Sequence, residues 1–208
     1  MKVLLVNASP HVNGCTARGL KEVEMVLNNE GIETENINIG TENIRGCISC
    51  NSCHKLGKCV FDDSVNVVAE KFKDADGIIL GTPVYWAGAN GTLVSFLDRL
   101  FYSTSYEKTM KVGSCVISSR RAGSTTTYDE IVRYFGINGM PTAPSSYWNE
   151  VHGSTAEDVE KDKEGLQIMR NLGHNMAFMV KAIALGKKEY GLPQRERGEH
   201  TNFCDGLE

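Results

Sequence analysis

Apolar positions along this chain switch between two periods. Lys2 to Val6 is a short run of apolar, β-favouring residues that stops at Asn7-Ala8-Ser9-Pro10, which predicts a buried strand. Leu20, Val23 and Leu27 then recur at helical spacing, and Asn29-Glu30-Gly31 ends that helix. From Ile32 to Ile39 apolar and polar residues alternate imperfectly, the pattern of an edge strand with one wet face. Asp62-Asp63-Ser64 supplies the cap of a helix carrying Val65, Val68, Ala69 and Phe72. Asp76 to Pro83 predicts the next strand, and Leu93, Phe96, Leu97 and Leu100 mark the helix after it. Lys111 to Ser118 is expected as a fourth strand, followed by a helix with Tyr128, Ile131, Val132 and Phe135. Met140 to Trp148 is expected as a fifth strand, assigned to a sheet edge because Pro141 and Pro144 cannot donate to a ladder. Thr155 to Leu185 reads as one long helix with Leu166, Met169, Leu172, Met176, Met179 and Ile183 on one face.

Five alternations of strand and helix mean parallel strands joined by crossover helices, hence an α/β fold with an open five-stranded sheet covered on both faces. Residues 1–188 are expected to form this domain, with a cysteine loop at 46–60, and 189–208 a polar tail. Ligands of such sheets sit at the carboxyl ends of the strands, where the strand order reverses. Chemistry is therefore expected in the loops after the first, third and fourth strands.

Bulk properties narrow the partners. A chain of 208 residues buries an ample core, and a formal charge of −4 gives no basic footprint for nucleic acid. The N-terminal apolar run is too short for a secretory signal or a membrane span. Cysteines kept reduced without export imply the cytoplasm.

Four of the seven cysteines, Cys47, Cys50, Cys53 and Cys59, fall in one loop with the spacing Cys-x2-Cys-x2-Cys-x5-Cys. So short a loop can aim several thiolates at one point, as a cuboidal iron–sulfur cluster requires. A zinc ion or a set of free thiols also fits the residues, although zinc knuckles more often come as two separated pairs. Cys115 lies in an apolar run and reads as a small core residue, while Cys15 and Cys204 are scattered.

Three other loops carry candidate chemistry. Ser9-Pro10-His11-Val12-Asn13-Gly14-Cys15-Thr16 leads straight into a helix and offers hydroxyls, a tight turn and free amides to a phosphate monoester. It lacks both Gly-Lys-[Ser/Thr] and Gly-x-Gly-x-x-Gly, which disfavours nucleoside triphosphates and a dinucleotide held on that turn. Pro83-Val84-Tyr85-Trp86 presents two aromatics at a strand end, suited to a flat ring. Ser118-Ser119-Arg120-Arg121-Ala122-Gly123 adds hydroxyls and guanidiniums.

Taken together, Ser9-Pro10…Asn13-Gly14…Thr16, the compact cysteine motif, Asp76-Gly77…Thr82-Pro83-Val84-Tyr85 and the helix reaching Asp98-Arg99 resemble the flavodoxin-like NADPH-dependent FMN reductase superfamily, and within it the iron–sulfur flavoproteins. The resemblance spans Val3 to about Leu185. It implies FMN, with its phosphate at Ser9, His11, Asn13 and Thr16, and Gly14 and Cys15 among the other cofactor-binding residues of that loop, Cys15 standing where relatives usually place Asn. It places the ring between Pro83, Val84, Tyr85 and Trp86 and the loop of Ser118, Ser119, Arg120 and Gly123. It also implies that Cys47, Cys50, Cys53 and Cys59 ligate a [4Fe–4S] cluster, and that the chain forms a homodimer or homotetramer. Tyr85, Trp86 and Arg120 are the residues expected to shape the ring site, with His54 and His152 as candidate proton donors. The expected activity is reduction of a quinone, a nitro- or azo-aromatic or a flavin by NAD(P)H through bound FMN. The alternatives are an electron carrier served by a ferredoxin and a cysteine-based redox sensor.

Overall fold

The computed structural model describes residues 1–196 and 199. Its sheet is built from β1 (Lys2–Asn7), β2 (Glu33–Asn38), β3 (Gly77–Tyr85), β5 (Val112–Ser119) and β6 (Glu150–His152), all parallel, in the order β2-β1-β3-β5-β6. A two-residue strand, β4 (Gly88–Ala89), folds back antiparallel on the end of β3. This is the doubly wound, flavodoxin-like order, in which the chain leaves β1 for β2 and then returns across it to β3. The switch point lies between β1 and β3.

The side chains of β1 explain why its apolar run is continuous. Val3 and Leu5 pack with Leu20, Val23 and Leu27 of α1 (Cys15–Asn29) and with Leu166, Met169 and Leu172 of α7 (Lys163–Tyr190). Leu4 and Val6 face the other way, against α3 (Ser64–Asp74), α4 (Gly91–Ser103) and α5 (Ser124–Ile137), where Phe72, Phe96 and Phe135 fill the layer. A strand covered on both faces has no solvent side, so alternation disappears. On the edge, β2 buries little and keeps a mixed pattern.

Two expectations need correction. Met140 to Trp148 is not the fifth strand: that stretch makes one isolated bridge, Gly113 to Thr142, and the edge strand is β6. Pro141 and Pro144 remove the donors a ladder needs, and the chain swings out before Asn149 returns it to the sheet. There Asn149 accepts from the Ile117 amide (2.9 Å) and donates through Nδ2 to Ser114 Oγ (3.0 Å). Nor is the last helix continuous from Thr155. A single turn, α6 (Ala156–Val159), is separated from α7 by Glu160–Asp162. Asp162 restarts the helix by accepting from the Gly165 amide at 2.9 Å, a cap that a mid-helix position would waste. Among the described residues no helix is long and apolar enough to cross a membrane. Cys204 and most of the expected tail lie outside the described residues.

Candidate functional site

A cleft of about 710 Å³ opens at the carboxyl ends of β1, β3, β5 and β6. Ser9, His11, Asn13, Gly14, Cys15, Thr16, Pro83, Val84, Tyr85, Ser118, Ser119 and Arg120 all line it. Its floor is the start of α1. Gly14 is the N-cap in an extended conformation and carries no side chain to cap with, and the first turn holds no acidic residue. The first amides of α1 thus meet the cleft without a side-chain acceptor, the arrangement that binds anions at helix starts. The approach to the helix is held by a relay of short bonds: Ser9 N–H to Asn7 Oδ1 (3.0 Å), His11 N–H to Ser9 Oγ (3.2 Å) and Gly14 N–H to His11 C=O (3.0 Å).

Thr16 and Ser118 share one hydrogen bond between buried hydroxyls, Oγ1 to Oγ at 2.8 Å. Two hydroxyls have two protons, and this bond uses one, so the pair can still donate into the cleft. The Cys15 thiol donates to the Gly153 carbonyl at 3.3 Å, and burial pushes its pKa up.

The third loop is a tight hairpin. Tyr85 pairs with Gly88, leaving Trp86 and Ala87 as a two-residue turn with φ of 51° and 59°. Both central residues at positive φ define the type I′ turn, whose usual occupants are Asn and Gly. Two supports hold it there. The Ala89 amide donates to Glu130 Oε2 of α5 at 2.9 Å, and Gly123, at φ 96°, lets the turn pack so closely that an added Cβ would stand 2.8 Å from Ala87 Cα. Tyr85 faces the cleft; Trp86 is fully exposed at the tip and is not among the cleft's lining, nor is Gly123. In the fourth loop Ser119 Oγ accepts from Ser124 Oγ (3.0 Å) and lies 3.2 Å from His152 Nδ1.

Two contributors escaped sequence reading. The cleft's far wall is Gly153 to Glu157, the loop after β6 and the start of α6, which was missed because the fifth strand was expected ten residues too early. Asn90 is the other: buried, it caps α4 through Oδ1 to the Leu93 amide (3.1 Å) and donates Nδ2 to the Ala8 carbonyl (2.5 Å). It ties the first loop to the third, and its N-cap position before an apolar helix was the signal.

The cysteine loop starts at the same sheet edge, after β2, and runs along α4. Left-handed backbone at Ser49 (φ 53°), Asn51 (φ 55°) and Gly57 (φ 70°) curls it around a short helix, α2 (Cys53–Leu56). Cys47, Cys50, Cys53 and Cys59 all open onto one small cavity, whose walls are largely apolar: Ile48, Val60 and Phe61. Among the described residues no group of three or more His, Cys, Asp or Glu stands ready to hold a single metal ion. A cluster asks for a wider spread, because each thiolate binds its own iron. The donor set, four cysteines lining one cavity together with Arg99, fits such a group in its chemistry. The Ser52 hydroxyl, with the Ser52 amide, holds the Cys50 thiol below its usual pKa, whereas burial drives the core thiol of Cys115 far up. His54 lies on α2 against the Tyr102 ring, with ring centroids 5.6 Å apart.

The profile of the NADPH-dependent FMN reductase family matches residues 1–155. An iron-sulfur flavoprotein of Methanocaldococcus jannaschii is 37% identical over 193 residues, covering 88% of this chain and 99% of that protein. One from Methanosarcina thermophila is 27% identical and covers 88% and 97%. Among solved structures, a flavodoxin from the domain Archaea superposes with a TM-score of 0.60 at 16% identity, covering 87% of this chain and 99% of that one. An NAD(P)H:quinone oxidoreductase from Methanothermobacter marburgensis gives 0.65 at 16% identity, covering 85% and 96%. At such identities the structural likeness concerns the fold alone.

Proposed function

The chain belongs to the NADPH-dependent FMN reductase family, and from that premise we propose that it is an FMN-dependent oxidoreductase. NAD(P)H is its electron source, and a quinone, a nitro- or azo-aromatic or a flavin its acceptor. The observation that carries this reading is the uncapped start of α1 opening into a cleft at the switch point. The cleft suits a monophosphate at one end and a flat ring at the other. When bound, FMN supplies the hydride chemistry; the protein's part is to bind, orient and exclude. The α1 amides and the Thr16–Ser118 pair would hold the phosphate. Pro83, Val84 and Tyr85 would form the bed of the ring, and Arg120 would stand where negative charge builds on a reduced ring. Two measurements test this. FMN should bind more tightly than FAD, and anaerobic mixing with NADPH or NADH should bleach the flavin absorbance within seconds. A bound flavin reduced by neither nucleotide overturns the nucleotide-linked reading.

A second reading rests on the four cysteines around one cavity. Here the loop carries a [4Fe–4S] cluster, and the protein passes single electrons, with a ferredoxin as its partner. Cys→Ala at 47, 50, 53 or 59 should then release iron from anaerobically reconstituted protein while FMN stays bound. Flavin without iron or sulfide after reconstitution would leave the loop as a thiol site, the case in which it acts as a redox sensor.

A further inference from the structure

Arg99, on α4, is only 1% exposed. All five of its N–H groups find partners, and every partner belongs to the cysteine loop or its two ends. Nη1 and Nη2 fork onto the Asp63 carboxylate at 2.6 and 2.8 Å. Nη1 also donates to the Arg45 carbonyl (3.3 Å) and Nη2 to the Phe61 carbonyl (3.4 Å). Arg45 precedes the loop, while Phe61 and Asp63 follow it, so one guanidinium closes the loop at both ends. The ring of Phe61 contacts two cations, 5.2 Å from the Arg99 guanidinium and 4.7 Å from that of Arg45.

The fifth donor, Nε–H, goes to Cys59 Sγ at 3.3 Å. Cys59 is also the cysteine whose backbone is pinned: its amide donates to Asn66 Oδ1 and its carbonyl accepts from Asn66 Nδ2, both at 3.0 Å. Main chain and sulfur are thus fixed from two sides, whereas Cys47 and Cys50 are exposed. Sulfur bound to a metal carries negative charge, and a fixed cationic N–H is a strong donor to it. A carboxylate alone would neutralise Arg99, so the Nε contact is an addition that closing the loop does not require.

We propose that Arg99 is a positioning residue of the cysteine loop, orienting the Cys59 sulfur toward the shared cavity and making the centre it ligates easier to reduce. This rests on the cluster-bearing reading above. Adding one electron increases the negative charge shared by cluster and sulfurs, and a fixed cationic donor stabilises that form over the oxidised one. Removing the donor lowers the reduction potential. Removing the neighbouring negative charge of Asp63 raises it.

The test is a redox titration of anaerobically reconstituted protein, following the reduced cluster by electron paramagnetic resonance, with iron per chain measured alongside. Arg99→Gln should keep iron and shift the one-electron equilibrium at least tenfold toward the oxidised form, about 59 mV lower. Arg99→Lys, which keeps the charge and loses the fork, should fall between it and the parent. Asp63→Asn retains Arg99 and the capping oxygen of α3, and should shift the potential upward. If Arg99→Gln does not fold, Asp63→Asn carries the test, and an unchanged or lower potential there overturns the proposal. Iron-loaded Arg99→Gln at the parent's potential overturns it as well, leaving Arg99 as a structural clasp. A parent chain that takes up no iron fails the cluster reading itself, an outcome visible before any variant is made.

Discussion

Thr16 illustrates how a single side chain is given its task by a partner 102 positions away. Its hydroxyl lies on the first turn of α1, but the bond to Ser118 at the end of β5 fixes its rotamer and orients the remaining proton. Thr16→Ala removes one donor to a charged acceptor and leaves Ser118 without its partner. FMN affinity should fall by roughly 1.5–3 kcal/mol, tenfold or more, in a flavin fluorescence titration. Thr16→Ser keeps the hydroxyl and should recover most of the loss. Equal affinity in parent and Thr16→Ala would move the phosphate elsewhere. Asn90 works by the same logic without touching the cleft: its bond to the Ala8 carbonyl holds the first loop against the third.

Elements here are placed by such cross-links as much as by their own propensity. The hairpin between β3 and β4 is the clearest case, since Trp86 and Ala87 occupy left-handed backbone that costs a non-glycine residue about 1–2 kcal/mol. Glu130 and Gly123 sustain it from α5 and its cap, so the tip is locked rather than loose. Ala87→Gly relieves the strain at one position, and after the entropy of an added glycine is set against it the protein should gain up to about 1 kcal/mol in chemical denaturation. Most Ala→Gly changes destabilise, so a loss at Ala87 would show that the turn is not under strain. At the other end of the site, Asp162 serves α7 as its cap and accepts the His152 amide at 2.7 Å, joining the break in the last helix to the edge strand. A continuous helix from Thr155 would have had no group to offer there.

At the scale of the molecule, the segment that failed to be a strand carries an exposed aromatic pair. Tyr147 and Trp148 meet with tilted rings, centroids 5.6 Å apart, and stay exposed, on a loop fastened to α7 by Asn171 to Ser146 Oγ (2.8 Å) and Asn175 to the Pro144 carbonyl (2.9 Å). Phe178, also exposed, is one helical turn beyond Asn175. Anchored aromatics of this kind are the usual centre of subunit interfaces. A homodimer or homotetramer is expected by light scattering of the flavin-bound protein. Tyr147→Ala with Phe178→Glu should reduce its mass to that of a single chain with FMN affinity measured alongside. A monomeric parent would show that this patch joins no copies.

Much of this architecture is legible in the chain alone, because its signals are local. The apolar runs of β1, β3 and β5 follow from burial on both sheet faces, and the cap at Asp63 comes from a side chain that satisfies the next turn's amides. The four-cysteine spacing and the loop from Ser9 to Thr16 are likewise local, so the candidate chemistry could be named from residue types and intervals. What remained hidden depends on pairing between distant segments. Nothing in Glu150-Val151-His152 marks a strand until Ile117 to Ser119 lies beside it, and with it the Gly153–Glu157 wall of the cleft comes into place. Trp86 and Tyr85 are adjacent in sequence, yet one tops the turn and the other faces the cleft, a division set by the hairpin's register and its hold on α5. Arg99 looks from its position like one more charge on an amphipathic helix. Only the path of the cysteine loop around it turns that charge inward and gives each of its donors a partner, because a cation can be buried only where the fold brings its acceptors to it.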